Sequence, residues 1–223
     1  THNSSETTGD TFGYTIKDTD GNVSSEGFVF LTVTAVNDSP TVSINTGVTV
    51  AEGSTGTVIT NTMLNEADPD DDGAELTYTV TTATGNGALR LSGVALGVND
   101  TFTQADIDAG ILTYDHNGSE TTSDSFSFSL ADGGEDGTTA ASGTFNITVT
   151  PVNDAPTATI TAASFGVNED DAYRLLFGFS VADADAGGNE VAVTLSVNDG
   201  VLNLTDTTGL TYTGGANDSA KMT

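Results

Sequence analysis

One block of this chain occurs twice, a domain's length apart. Residues 2 to 12 read HNSSETTGDTF and return from 116 to 126 as HNGSETTSDSF, an offset of 114. A second block, Val36-Asn37-Asp38-Ser39-Pro40-Thr41, returns as Val152-Asn153-Asp154-Ala155-Pro156-Thr157, an offset of 116. A period of that size is one domain long, so the chain is a tandem array of similar domains. Residues 1–36 match the last third of a repeat, 37–153 make a whole one and 154–223 begin another. Both ends fall inside domains, so the chain reads as an excerpt of something longer.

The repeats alternate with period 2. Phe126, Phe128 and Leu130 alternate with Ser127 and Ser129, and their partners in the earlier copy are Phe12, Tyr14 and Ile16. Phe145, Ile147 and Val149 match Val29, Leu31 and Val33, while Leu76, Tyr78 and Val80 match Val191, Val193 and Leu195. Each set is expected to form a strand with one face in a core and one in water. Turn-rich spacers such as Asp70-Asp71-Asp72-Gly73 and Asp132-Gly133-Gly134 separate them. The expected fold is all-β, a tandem run of seven-strand sandwiches. In the complete repeat the strands are expected near 41–50, 56–64, 75–82, 94–109 (with a helical turn), 111–115, 125–131 and 143–150. The helical turn is read from Thr103-Gln104-Ala105-Asp106, a capping box with Asp in place of Glu, and from Gly110 as its stop.

Charge narrows the partners. Lys17, Arg90, Arg174 and Lys221 face 32 acids, a net charge of −28. Such a surface repels nucleic acid and anionic membrane. Either it is simply a solvated acidic surface, or part of its charge is held for cations, and self-repulsion in a compact domain favours the second. Cysteine is absent, so there is no disulfide frame and no thiolate metal site. No apolar stretch is long enough to span a bilayer.

Together these residues resemble a family. Val152-Asn153-Asp154-Ala155-Pro156 after a final strand is similar to the inter-domain linker of cadherin-like repeats. Phe102-Thr103-Gln104-Ala105-Asp106-Ile107-Asp108-Ala109-Gly110, then Leu112-Thr113-Tyr114-Asp115-His116 and Ser123-Asp124-Ser125-Phe126, resemble the cadherin-like repeats of chondroitin-sulfate-proteoglycan type. Those also occur in very large bacterial surface proteins, including RTX-type adhesins. Gly200-Val201-Leu202-Asn203-Leu204 and Leu210-Thr211-Tyr212 look more like a sister type.

The resemblance implies Greek-key sandwiches, with Ca²⁺ between successive domains held by the bottom of one, the linker and the top of the next. After the complete repeat that set is Glu52, Glu120, Asp124, Asn153, Asp154, Asp183 and Asp185. Before it the set is Glu6, Asp10, Asn37, Asp38, Asp68, Asp70 and Asp132. Plainer readings stand beside these. Asn-Asp before Pro also suits an Asx-turn, Asp68-Pro69-Asp70 a solvated turn, and Glu6 and Glu120 exposed loop charges. Asp18-Thr19-Asp20-Gly21-Asn22 has a partial calcium-loop look and would serve a junction further up.

No catalytic constellation is visible. His2 and His116 are one position in two repeats, beside a turn they are expected to hydrogen-bond. No Gly-rich phosphate loop and no nucleophile–base pair is present, so no enzyme is expected. The expected function is mechanical: a calcium-stiffened extender of a large extracellular bacterial adhesin, with the adjacent repeats as partners. A self-assembling filament, sheath or matrix subunit is the first alternative, and a carbohydrate-binding module the second.

Overall fold

Alternating apolar residues become strands most completely within the one whole repeat. The computed structural model describes residues 6–133, 139–161, 166, 168–169, 174, 177–217 and 219–223. His2, at the head of the repeated block, and Gly134 lie outside them. Two units separate, residues 1–152 and 153–223.

The first unit begins with a hairpin, β1 (Gly9–Tyr14) and β2 (Gly27–Thr32), in which Phe12 faces Val29. The complete repeat follows with β3 (Thr41–Asn45), β4 (Val48–Ala51), β5 (Thr57–Val58), β6 (Leu64–Ala67) and β7 (Thr77–Thr82). Then come β8 (Gly87–Leu91), β9 (Val94–Ala95), β10 (Thr101–Thr103), the short helix α1 (Gln104–Asp108), β11 (Leu112–His116), β12 (Ser123–Ala131) and β13 (Ala141–Thr150). One sheet runs β10-β7-β12-β13-β4, another β5-β11-β8-β9, and β3 pairs with β6.

Tyr78, Phe102, Phe126, Phe128 and Phe145 from the first sheet and Ile59, Leu89, Leu112 and Tyr114 from the side of the second form one buried cluster. Tyr78 stacks on Phe102 at 4.9 Å and Phe126 on Phe145 at 5.2 Å. Each such ring buries ~150–250 Å², which makes this cluster the main source of stability. The two sheets therefore close as a β-sandwich.

The seven expected strands are more finely divided. The first breaks at Thr46-Gly47, where β3 leaves to pair with β6 and β4 joins β13 in parallel. Gly47 has φ +73° and its missing Cβ would lie 2.4 Å from the Asn146 carbonyl oxygen, so only glycine fits the crossing. The second splits at a turn over Thr60–Met63 and resumes to Ala67, beyond the expected end. The β8–β9 hairpin, closed by Ser92 (φ +49°) and Gly93 (φ +83°), was not expected over 87–91. The capping box forms as read: Thr103 Oγ1 accepts from the Asp106 amide at 3.2 Å, and Asp106 Oδ2 accepts from the Thr103 amide at 2.8 Å.

In the second unit, β14 (Thr157–Ile160) pairs with β15 (Phe179–Ala182), and β16 (Leu195–Ser196) with β17 (Lys221–Met222). Thr157 opposite Ala182 repeats Thr41 opposite Ala67. Two expectations fail here and in the β1–β2 hairpin. Val191 and Val193 lie outside any strand and are 37% and 40% exposed. Phe12, Tyr14 and Ile16 are 52%, 50% and 66% exposed, because among the described residues no second sheet covers that hairpin.

Candidate cation-binding site

The loop after β6 is shaped by its own carboxylates. Asp68 Oδ1 accepts from the amides of Asp70 (2.9 Å) and Asp71 (3.1 Å), an Asx-type turn. Asp70 Oδ2 then accepts from the amide of Asp38 in the linker at 2.7 Å. The Asn37 side-chain amide donates to Asp132 Oδ2 at 2.9 Å, and Ser39 Oγ accepts from the Thr139 amide at 3.2 Å. The linker is thus tied both to the β6–β7 loop and to the loop after β12.

Three carboxylates converge where these loops meet. One oxygen from each of Asp68, Asp71 and Asp132 lies within 4.8 Å of the others, and Asp132 is 4% exposed. Asp68 Oδ2 is shielded from solvent and accepts no hydrogen bond. Nearby Glu66 is held above the usual carboxylate range, first by burial and then by the charges of Asp68, Asp108 and Asp72. Oxygen-only donors, with no sulfur or imidazole, suit Ca²⁺ or Mg²⁺ rather than zinc or copper. The residues present fit a hard divalent cation.

Of the residues expected at this junction, Asp68 and Asp132 enter the convergent group. Asp70 and Asp38 join each other across the linker, and Asn37 braces Asp132. Asp10 sits on the exposed β1 with its Oδ1 accepting from the Thr11 amide at 2.7 Å, and Glu6 lies just before that strand. Asp71, which the sequence places only in a turn-rich spacer, joins Asp68 and Asp132. Its signal was its place three residues after Asp68, where an Asx-type turn brings the next side chain back over the first. Asp18 closes on its own loop, accepting from the backbone and side-chain amides of Asn22 at 2.8 Å each. Hydrogen bonding, first from the Asn22 side chain, holds Asp18 below the usual carboxylate range.

At the other end of the repeat, Glu52 and Glu120 place carboxylate oxygens within 4.8 Å of each other. Glu52 Oε2 also accepts from the Val152 amide at 3.2 Å. Asp124 is engaged differently. Its Oδ1 accepts from the amides of Gly85 (2.9 Å) and Ser125 (2.8 Å), and its Oδ2 from the Asn86 amide (3.0 Å) and the Tyr114 hydroxyl (2.7 Å). Four donors occupy both oxygens, so the geometry gives Asp124 the task of pinning the 84–86 turn to β12. Burial, then this bond to Asp124, raises the Tyr114 hydroxyl well above its ordinary range.

The second unit repeats the linker device. Asp183 Oδ1 accepts from the amides of Asp185 (3.1 Å) and Ala186 (3.0 Å), and the Asp154 amide donates to Asp185 Oδ2. The Asn153 side-chain amide donates to the Asp154 carbonyl at 2.8 Å. Ala186 stands where the complete repeat has Asp71.

The fold and site define the class: a β-sandwich domain whose linker is bonded into an acidic loop cluster. The profile of the cadherin-like family matches residues 40–149, and this stretch is a cadherin-like domain. The chain is similar to extracellular matrix protein 3 of Lytechinus variegatus, 29% identical over 193 residues, 84% of this chain and 6% of that protein. FRAS1-related extracellular matrix protein 2 of Homo sapiens is 34% identical over 121 residues, 54% of this chain and 4% of its own length. Chondroitin sulfate proteoglycan 4 of Mus musculus is 39% identical over 114 residues, 51% and 5% respectively. The chain thus spans only a small fraction of each relative.

Proposed function

We propose that this chain is a non-enzymatic extender segment of a large extracellular protein of adhesive or matrix type, stiffened by calcium at its repeat boundaries. One observation carries the reading. Asp68, Asp71 and Asp132 bring oxygens within 4.8 Å of one another in the same two loops that receive Asn37 and Asp38 from the linker. A bound Ca²⁺ supplies positive charge to this group. Asp68, Asp71 and Asp132 would hold it, and Asn37 and Asp38 would keep the linker seated against the loops that do so. Without the ion the three carboxylates repel, and the linker bonds that share their loops loosen. The matrix relatives support an extracellular setting and a role in adhesion or matrix. A bacterial cell surface rests on the resemblance of the repeats to those of large bacterial surface proteins, and the charge of −28 fits a solvated acidic surface there.

Isothermal titration of the full chain with calcium chloride, and small-angle scattering with and without chelator, test the reading. Heat of binding and a maximum dimension that falls on chelation are expected. No binding, or an unchanged dimension, would count decisively against it. The second reading, a self-assembling filament or matrix subunit, draws support from exposed apolar residues on the strands outside the complete repeat, Phe12, Phe30 and Phe179 at 52%, 80% and 54%. Electron microscopy separates the two, since an extender stays single and a filament shows a repeat. A carbohydrate-binding face draws none from the complete repeat, whose Phe and Tyr rings line the core.

A further inference from the structure

We infer that His116 is a positioning residue whose neutral ring, protonated on Nε2, sets the separation of the Glu52 and Glu120 carboxylates. His116 ends β11 and is only 4% exposed. Its Nδ1 faces two backbone donors, the amides of Gly53 at 3.1 Å and Gly118 at 3.2 Å. A nitrogen that meets two N–H groups must be the acceptor, so the ring proton sits on Nε2. Nε2 lies 3.2 Å from Thr121 Oγ1, which in turn is 3.1 Å from Ser119 Oγ. The His116 amide itself donates to the Ser54 carbonyl at 2.8 Å.

One imidazole therefore bridges the turn after β4 and the turn before β12. Gly53 directly follows Glu52, and Thr121 directly follows Glu120. The two carboxylates stand within 4.8 Å and repel, so they come together only if both turns are held. Gly53 and Gly118 have φ of +64° and +76°, the left-handed backbone that aims both amides at one ring atom. The histidine of the repeated block thus acts through Glu52 and Glu120 rather than on a ligand of its own.

What the carboxylate pair binds rests on the calcium proposal, while the clamp is geometric and stands apart from it. The test uses the full chain, calcium chloride and two variants that split the ring's functions. H116N keeps an acceptor near the Nδ1 position, and H116Q moves it out to the Nε2 position. Wild type and H116N are expected to bind calcium alike. H116Q is expected to lose about tenfold in affinity at one class of sites and leave the rest unchanged, the size seen when a residue orienting a metal ligand is removed. H116Q binding like wild type, or H116N as weak as H116Q, would overturn the clamp.

If wild type itself takes up no calcium, the calcium proposal fails and the clamp is judged by amide exchange. Gly53 and Gly118 should exchange slowly in wild type and H116N and fast in H116Q; equal rates in all three overturn it. Should H116Q not fold, T121V removes the Nε2 partner instead. Weaker calcium binding or faster Gly53 exchange is then expected, and no change in either overturns the proposal.

Discussion

Phe126 and Phe12 hold the same position in the repeated block, yet one is fully buried and the other 52% exposed. Their strands pair alike: β12 lies antiparallel to β13 with Phe126 opposite Phe145, and β1 lies antiparallel to β2 with Phe12 opposite Val29. Hairpin pairing is local and needs only the two strands and their turn. Burial needs an opposing sheet, which the complete repeat supplies through β5, β8, β9 and β11. A period of two reports which face would be buried, and the rest of the domain decides whether it is.

The acidic loops teach the complementary lesson. In both copies the first Asp of Asp-x-Asp caps two amides and the second receives the linker amide. The backbone device is thus preserved while the charge it carries differs, with Asp71 in one and Ala186 in the other. Two roles are superposed on one motif. Holding the linker uses Asp70 and Asp185, and gathering charge uses Asp68, Asp71 and Asp132.

The core contrast gives the largest expected effect. F126A should cost the complete repeat ~3–5 kcal/mol in urea unfolding, as large core truncations do, whereas F12A should change stability by less than about 0.5 kcal/mol. Similar costs for both would break the comparison. Asp124 and Asp10 form the next pair. D124A leaves the Tyr114 hydroxyl and two amides of the 84–86 turn without their acceptor and should cost about 1–3 kcal/mol. D10A, on the exposed strand, should be close to neutral by the same measurement.

The loop pair comes third. D71A should weaken calcium binding in the titration by about tenfold, worth ~1.4 kcal/mol, without shifting unfolding in chelator. A186D should strengthen it; a silent A186D would mean that the fourth loop position carries no ligand. The smallest effect is at Asp115. Its carboxyl is held below the ordinary carboxylate range, first by the Gly56 amide and then by Arg90. A depressed carboxylate stabilises the fold above its unfolded value of about 3.9 and stops doing so as pH falls through the lower folded value. D115N should therefore be less stable than wild type at neutral pH, by under about 1 kcal/mol for so exposed a pair. The difference should vanish in acid urea titrations below the folded value.

Much of the complete repeat was legible from local pattern. Phe126, Phe128 and Leu130 are buried as their alternation required, and the capping box of Thr103 and Asp106 formed because its bonds are three residues apart. The split at Gly47 was not legible, since what demands glycine is the carbonyl of Asn146, about a hundred residues away. The β8–β9 hairpin was missed because two leucines, Leu89 and Leu91, between turn dipeptides make too short an alternation. In the acidic site, Asp68 and Asp132 are both expected from the sequence at the junction before the complete repeat, and the structure brings them together with Asp71. Asp124, expected in the set after the complete repeat, has both oxygens engaged by Tyr114, the 84–86 turn and the Ser125 amide. Charge alone does not distinguish a carboxylate open to a cation from one already saturated by donors.

The sequence by itself determined that two blocks recur 114 and 116 residues apart, that the chain is acidic and β-patterned, and which faces are apolar. Those properties are additive along the chain and read from spacing. The tertiary structure decided which acids meet, which are already occupied by amides, and that one histidine ties the turn carrying Glu52 to the turn carrying Glu120. Many of these groupings depend on hydrogen bonds between residues some thirty to a hundred positions apart, and no periodicity encodes them.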